Sequence, residues 1–279
     1  MCNLYTVRLS RDEVAGLLRH RQLIGTNFRD TQNVYPNGEA PVMVADGEGS
    51  IAFRDMRWGF PKPPNIPGGG YVTNVRNTTS NYWKPWLKEP SVKVGNDVGG
   101  RCLVPVVKFA EPDKNTGMKT HGTPSVNRWF ARPDGSLFAF AGIWRTWTGD
   151  RGTKTKPDVG QHTLYSFLTT DPADVVRPIH EKATPLILTT KDEIETWLTA
   201  PMDEALKLQQ PAKSGVIVLL PLEEKAEGEA MTSAADAAPP ATSADPKVAA
   251  KRKLKVANLR DSDDVARAMG GRGGADTKT

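Results

Sequence analysis

The second residue of the chain is a cysteine, and its position gives it a chemistry that internal cysteines lack. If Met1 is removed, Cys2 carries a free α-amine and a thiol on adjacent carbons. This 1,2-aminothiol can condense with an aldehyde through the amine, after which the thiol closes a five-membered thiazolidine ring. The α-amine has a reference pKa of about 7.7–8.0 and can serve as a built-in base. A cysteine can also stand beside Met1 by chance, so other residues must distinguish the two interpretations.

Four further polar residues have the chemistry to assist such a reaction. Asn74 and Arg76 share one face if their segment is extended, because side chains alternate along a strand. An amide and a guanidinium on one face suit phosphate or carboxylate recognition, and equally an ordinary surface ion pair. Glu111 ends an apolar run, and His180 precedes a strand. These two could transfer protons, or they could be a solvated acid and a structural histidine.

The composition argues against several classes of protein. The chain has 279 residues, 38% hydrophobic and 25% charged, and no apolar run approaches the roughly 18 residues of a transmembrane helix. No secretory signal is visible, so the two cysteines favour thiols in a reducing cytoplasm over a disulfide. Four histidines without a CxxC or HExxH motif do not predict a metal site, and we expect no cofactor.

The net charge of +5 is located in the first 222 residues. Of 37 basic and 32 acidic residues, ten of each follow Leu222, which leaves 27 basic and 22 acidic residues before that point. This excess is compatible with a nucleic-acid partner, although many other proteins carry it. Residues 223–279 have no aromatic residue and are predicted to form a disordered low-complexity tail. The KRKLK run at 251–255 could attract phosphate or be a solvated charge run.

The elements predicted around these residues are short strands joined by turns, with a few short helices. Strands are expected at 3–9, 41–45, 50–58, 101–111, 162–170 and 214–220, and helices after the capping boxes that begin at Ser10 and Thr190. Two apolar runs within 125–144 flank a Pro-Asp-Gly turn and predict a β-hairpin. Asp171 and Pro172 predict the start of another short helix. The pattern favours a single α+β domain over 2–222, with a mainly antiparallel, barrel-like sheet.

Seven short segments occur in an order that is specific to one family. They are Met1-Cys2, RWGFP at 57–61, TNVR at 73–76, RCLVPVVKFAE at 101–111, AGIW at 141–144, LTT at 168–170 and IHEKATPLIL at 179–188. Each motif is weak alone, but the ordered set resembles the SOS-response-associated peptidase (SRAP) family, the abasic-site processing proteins. The resemblance covers about residues 2–220.

The resemblance implies a covalent reaction with DNA. Such proteins lose Met1, and Cys2 then attacks the ring-opened aldehyde of an abasic site in single-stranded DNA to form a thiazolidine crosslink. The residues implied in catalysis are Cys2, Asn74, Glu111 and His180, and those implied in DNA binding are Arg76, Asn74, Trp58 and Thr169. The implied partner is single-stranded DNA containing abasic sites, with the replication machinery as a further candidate. We expect a cytoplasmic monomer without a membrane partner.

The side chains at these positions suit the implied reaction. Loss of water from a carbinolamine needs a general acid, and Glu111 would suit if desolvation raises its pKa. His180 can protonate the sugar ring oxygen as the ring opens. Asn74 can orient the Cys2 amine. Stacking of an unpaired base on Trp58 would tolerate any sequence, as recognition of a missing base requires.

The chain departs from the family pattern in three motifs. The pattern C-G-R-[FY] becomes Cys2-Asn3-Leu4-Tyr5, without a basic residue near the nucleophile. The glutamate of N-A-R-x-E is replaced by Thr78, and the tryptophan of G-F-Y-E-W is replaced by Pro112. These departures spare Asn74, Arg76, Glu111 and His180, and they affect the surroundings of the site and its DNA contacts.

Two other functions are compatible with the same residues. A thiol peptidase acting on proteins would use Cys2 as nucleophile and His180 or Glu111 as base. A non-catalytic single-strand binder would use Arg76, Trp58 and the basic surface. A peptidase centred on Cys102 is less favoured, because that residue lies within an apolar run and is expected to be inert core.

Overall fold

A computed structural model of the chain describes residues 2–19, 21–24, 31–46, 49–63, 70–113 and 126–222. The predicted tail and its KRKLK run lie outside these residues. The helices of the described residues are α1 (Arg11–Leu17), α2 (Lys84–Leu87), α3 (Lys191–Thr199) and α4 (Met202–Leu206). None of them is long and apolar enough to cross a membrane.

The strands are short and numerous. They are β1 (Leu4–Val7), β2 (Gln22–Ile24), β3 (Gln32–Val34), β4 (Glu39–Ala45), β5 (Ser50–Trp58), β6 (Phe60–Pro61), β7 (Tyr71–Val72), β8 (Asn74–Val75), β9 (Val92–Val94), β10 (Asp97–Val106), β11 (Lys108–Pro112), β12 (Asn127–Ala131), β13 (Phe138–Asp150), β14 (Val159–Thr170), β15 (Thr184–Pro185), β16 (Ile187–Leu188) and β17 (Val218–Leu219).

Five strands close into a barrel. β14 pairs with β13, β13 with β10, β10 with β4 and β4 with β5, and β5 returns to β14. These pairs are antiparallel except for the closing pair, which is parallel and sets Trp58 opposite Tyr165. Closure removes the exposed edges that an open sheet of these strands would leave. The predicted class, a mainly antiparallel barrel-like sheet with a few short helices, is confirmed.

A second sheet carries the N-terminus. Its order is β17-β12-β11-β1-β3, and all its pairs are antiparallel. β1 lies between β3 and β11, with Leu4 opposite Ala110. This register brings Cys2, which lies two residues before the start of β1, to the end of β11 where Glu111 lies.

Aromatic side chains join the second sheet to the barrel. Phe109 of β11 stacks on Phe130 of β12, with ring centroids 5.3 Å apart. Phe109 also meets the edge of Phe140 of β13, which in turn packs on Phe167 of β14 at 4.7 Å. All four rings are fully buried. Because side chains two residues apart share a face, Glu111 lies on the same buried face of β11 as Phe109.

The predicted hairpin within 125–144 is wrong. The turn forms as expected, with Gly135 at φ 67° and its N–H donating to the Arg132 carbonyl at 3.0 Å. The strands on either side do not pair with each other: β12 pairs with β11 and β17, whereas β13 pairs with β10, β14 and β16. Turn residues fix a local reversal, but packing of the apolar faces selects the strand partners.

Three other expected elements differ from the structure. The single strand expected at 101–111 is two strands, β10 in the barrel and β11 in the second sheet, separated at Val107. The helix expected from Asp171 is a series of hydrogen-bonded turns, since Pro172 and Pro178 leave less than about two helical turns between them. The last strand, expected at 214–220, is limited to the two residues of β17, Val218–Leu219. The capping box at Thr190 is confirmed, with both reciprocal hydrogen bonds to Glu193.

Candidate active site around Cys2

Cys2 is held in place through its own backbone. The Asn74 side-chain amide donates to the Cys2 carbonyl at 3.0 Å and to the Thr73 hydroxyl at 2.9 Å. The Cys2 thiol donates to the Leu4 carbonyl at 3.4 Å. Asn74 is placed by β8, which pairs with β14 in the barrel. The hydrogen bond from Asn74 therefore ties the N-terminus of the second sheet to the barrel.

The side-chain amide oxygen of Asn74, Oδ1, is available to a ligand. Oδ1 is buried and accepts no hydrogen bond from any part of the chain that the structure describes. An unused buried acceptor is uncommon, because burial without a partner is costly. An amine on the residue that Asn74 already holds would supply the missing donor. The predicted role of Asn74 in orienting the Cys2 amine therefore has a geometric basis.

Glu111 and His180 face each other beside Cys2. The distance between His180 Nε2 and Glu111 Oε2 is 4.0 Å. The Ala183 N–H approaches His180 Nδ1 at 3.4 Å, so Nδ1 acts as the acceptor and the neutral ring carries its proton on Nε2, towards Glu111. His180 ends the series of turns, with its backbone N–H donating to the Val176 carbonyl at 2.9 Å.

Burial changes the acidity of both Glu111 and Cys2. Glu111 is fully buried, and this desolvation raises the pKa of its carboxyl group to about 7. Burial, together with the nearby Glu111 carboxylate, raises the pKa of the Cys2 thiol well above its usual value. Near neutral pH the site thus contains a carboxyl group that can donate a proton, and a thiol rather than a thiolate.

The four residues implied in catalysis are brought together, and all are shielded from water. Cys2 and Asn74 are 1% exposed, Glu111 is 0% exposed and His180 is 6% exposed. A shielded site strengthens electrostatic effects on a bound substrate, and a substrate has to displace covering groups to reach Cys2.

Arg76 connects β8 to the segment that carries His180. Its guanidinium donates to the Thr170 carbonyl, forms an ion pair with Asp171 and approaches the Lys182 carbonyl at 3.4 Å. Its side chain is 25% exposed, and that of Asp171 is 72% exposed. A phosphate could approach this guanidinium from solvent, in competition with Asp171. The phosphate-binding role of Arg76 stays a prediction.

Trp58 is a core residue, so its predicted stacking on an unpaired base is wrong. It has no exposed surface, and its ring stacks against Phe167 and Tyr165 at centroid distances of 5.2 and 6.4 Å. Its indole N–H donates to the Thr73 carbonyl at 2.9 Å. A stacking platform needs an open ring face, whereas this ring fills the barrel where β5 and β14 close it.

Thr169 lies on β14, opposite Pro185 of β15, and is 2% exposed. Its predicted contact with DNA stays a prediction.

Sequence reasoning missed Gln209, whose side-chain amide donates to the carbonyls of both Thr169 and Arg76 at 2.9 Å. Gln209 belongs to none of the recognised motifs, and no local pattern marks it.

Cys102 lies on β10 in the barrel core. It is fully buried, and burial raises the pKa of its thiol well above the usual value. This environment agrees with the expectation that Cys102 is an inert core residue. Among the described residues no group of three or more His, Cys, Asp and Glu side chains could hold a metal ion.

Comparison with known proteins places this chain in a family. The family model described as "SOS response associated peptidase (SRAP)" matches residues 1–226. A comparison with curated proteins finds no match. A solved structure of a Bordetella bronchiseptica protein is 19% identical with a TM-score of 0.58, covering 79% of this chain and all of that one. A phage-related protein from the same organism is 13% identical with a TM-score of 0.55, covering 80% of this chain and 95% of that one.

These two solved structures share the fold with this chain. The family description places the chain in a peptidase-like class of protein. The match over most of its length shows that the chain belongs to the SOS response associated peptidase family. The resemblance drawn from the ordered motifs is confirmed, and with it an association with the response to DNA damage.

We expect Trp58→Ala to act on stability. Removing a fully buried tryptophan should lower the free energy of unfolding by about 3–5 kcal/mol, measured by urea denaturation. Trp147→Ala is the matched control, because Trp147 is only half-buried and should lose less. A Trp58→Ala protein of unchanged stability that has lost affinity for single-stranded DNA would contradict the core assignment.

The raised pKa of Glu111 should make stability depend on pH. In the folded state this carboxyl group binds a proton up to about pH 7, whereas the unfolded chain releases it near pH 4.5. Stability should therefore fall as pH rises from about 4.5 to 7, by an amount on the order of 3 kcal/mol. Glu111→Gln cannot ionise and should lack this component.

The measurement is urea denaturation of the wild type and of Glu111→Gln at pH 5 and pH 7.5. The unfolding free energy of Glu111→Gln, relative to that of the wild type, should be larger at pH 7.5 than at pH 5. A difference that is the same at both pH values would show that Glu111 has an ordinary pKa.

Proposed function

We propose that this protein is an abasic-site sensor that forms a covalent thiazolidine crosslink between Cys2 and the ring-opened abasic site in single-stranded DNA. The crosslink would protect the damaged strand during replication and repair. The observation that carries the proposal is the arrangement of Cys2, Asn74, Glu111 and His180 in one shielded site, with a carboxyl group whose pKa is raised to about 7. The net positive charge of residues 1–222 supports a nucleic-acid partner.

The reaction begins at the amine of Cys2 once Met1 has been removed. The amine adds to the aldehyde carbon, and the resulting carbinolamine loses one water molecule to give an imine. Glu111 in its protonated form can donate the proton that this water carries away, because its pKa is close to neutral pH. His180 in its imidazolium form can donate the Nε2 proton to the sugar ring oxygen when the deoxyribose opens.

Ring closure uses the thiol. Sulfur adds to the imine carbon, the thiol proton passes to the nitrogen, and a five-membered ring results. The raised pKa of the Cys2 thiol supports this order of events, since the amine is the group that can react first. The chemistry needs the amine and the thiol on one residue, which Cys102 cannot offer.

The family name also supports a second candidate, a thiol peptidase that acts through Cys2. A peptidase nucleophile needs a thiolate, and peptidase cysteines have lowered pKa values. Burial acts in the opposite direction at Cys2, which favours aldehyde chemistry. Removal of Met1, by the protein itself or by an aminopeptidase, is a single cleavage that the same residues could assist.

The test is incubation of the protein with a labelled single-stranded oligonucleotide containing one abasic site, followed by a denaturing gel. The wild type and Cys102→Ser should both give a shifted band, and Cys2→Ala should give none. A version that carries one extra, non-removable residue before Cys2 should also give none, although its thiol is intact.

The outcomes separate the candidates. A band that persists in Cys2→Ala, or a wild type without a band, would refute the crosslinking function. Turnover of a peptide substrate that is lost in Cys2→Ser would favour the peptidase. Salt-sensitive binding without any covalent product, unchanged in Cys2→Ala, would favour a non-catalytic binder.

A further inference from the structure

A tryptophan with an ammonium group over its ring lies on the outer face of the second sheet. Lys108 Nζ is 4.6 Å from the centroid of the Trp129 ring. Both side chains are half-buried. Phe109 and Phe130, their neighbours in sequence, point into the core, so the alternation of strands directs Lys108 and Trp129 to the opposite face. We call these two residues the Lys108–Trp129 pair.

The pair lies close to the candidate active site in the plane of the sheet. Trp129 is directly opposite Ala110, and Ala110 is directly opposite Leu4 on the other side. Ala110 precedes Glu111, and Leu4 is two residues from Cys2. With neighbouring strands about 4.8 Å apart, the Trp129 backbone is roughly 10 Å from that of Leu4. A nucleotide flanking one that is bound at Cys2 would be within reach of this ring.

The two most prominent departures from the family pattern fall on the same face as the pair. Leu4 replaces the basic residue of the pattern, and Pro112 replaces its tryptophan. Leu4 faces Ala110 across the strands, and Pro112 shares a face with Ala110 because the two are two residues apart. Leu4 and Pro112 offer neither a cation nor an indole on this face, whereas Lys108 on β11 and Trp129 on β12 offer both.

We propose that the Lys108–Trp129 pair binds the nucleotide next to the abasic site, with its base stacked on the Trp129 ring and its phosphate paired with the Lys108 ammonium. This rests on the proposed function and names the surface by which that site takes up single-stranded DNA. The Lys108 ammonium lies over one face of the Trp129 ring, and both side chains keep part of their surface exposed. A base can replace the ammonium there, because base stacking is stronger than a cation–π contact at an exposed site.

Stacking on Trp129 also suits recognition of a lesion in any sequence better than hydrogen bonding to the edges of particular bases would. Every base has a π-face, so the contact tolerates any sequence around a lesion. The released ammonium remains near the strand and gains a phosphate partner. The pair thus supplies the stacking surface that Trp58, which is enclosed in the barrel, cannot supply.

The first test compares Trp129→Phe with Trp129→Leu for binding to an undamaged single-stranded oligonucleotide, measured by fluorescence anisotropy. Phe retains a ring and should bind almost as the wild type does, whereas Leu should weaken binding about 10- to 100-fold. Trp147→Leu is the matched control, a half-buried tryptophan on β13 that should leave affinity unchanged. Equal affinity of the Phe and Leu variants, with both folded by circular dichroism, would overturn the proposal.

The second test examines the charge. Lys108→Met removes one phosphate contact and should lower the slope of log affinity against log salt concentration by about 0.7. A merely structural lysine would not change that slope. An unchanged slope would overturn the assignment of Lys108 to a phosphate.

A third measurement separates this proposal from the crosslinking function. With an abasic oligonucleotide, Trp129→Leu should raise the DNA concentration that gives half-maximal crosslinking, while the rate at saturating DNA stays near that of the wild type. A lowered saturating rate with unchanged half-maximal concentration would overturn the stacking role. If the wild type forms no crosslink, the crosslinking function fails, and the binding comparison at Trp129 still decides the stacking surface.

Discussion

Exclusion of water from Glu111 is the physical constraint on which the candidate active site depends. A carboxylate with no exposed surface is costly, and the protein relieves this cost by favouring the protonated form, with a pKa of about 7. The same burial makes Cys2 a thiol rather than a thiolate. Both effects favour a reaction in which an amine acts first, an acid removes water, and sulfur closes a ring. A solvated Glu111 would be ionised near neutral pH and could not act as that acid.

This environment is created by packing between two sheets that the chain builds from distant segments. β1 and β11 bring Cys2 and Glu111 together within the second sheet, and β8 on the barrel contributes Asn74. The packed rings of Phe109, Phe140 and Phe167 hold the two sheets against each other. The hydrogen bond from Asn74 to the Cys2 carbonyl depends on that packing, as does the distance between Glu111 and His180. The site is therefore a product of the whole core rather than of one loop.

The sequence predicted which polar residues lie together better than it predicted their surroundings. Cys2, Asn74, Glu111 and His180 carry distinctive chemistry within ordered motifs, and the structure brings all four together. Trp58 belongs to an equally clear motif, yet the motif does not reveal whether an indole faces solvent or the barrel. The turn at Gly135 was predictable from local conformation, but the partners of β12 and β13 depend on tertiary packing. The side-chain nitrogen of Gln209 donates to two backbone carbonyls, and such contacts leave no trace in residue type.

The most direct test of the central claim is the intact mass of the product formed with an abasic oligonucleotide. Thiazolidine formation joins the two molecules with loss of one water, and only a chain without Met1 can carry it. The expected mass is therefore that of the chain lacking Met1 plus the oligonucleotide, less one water. A product that retains Met1, or separate masses of intact protein and DNA, would contradict it.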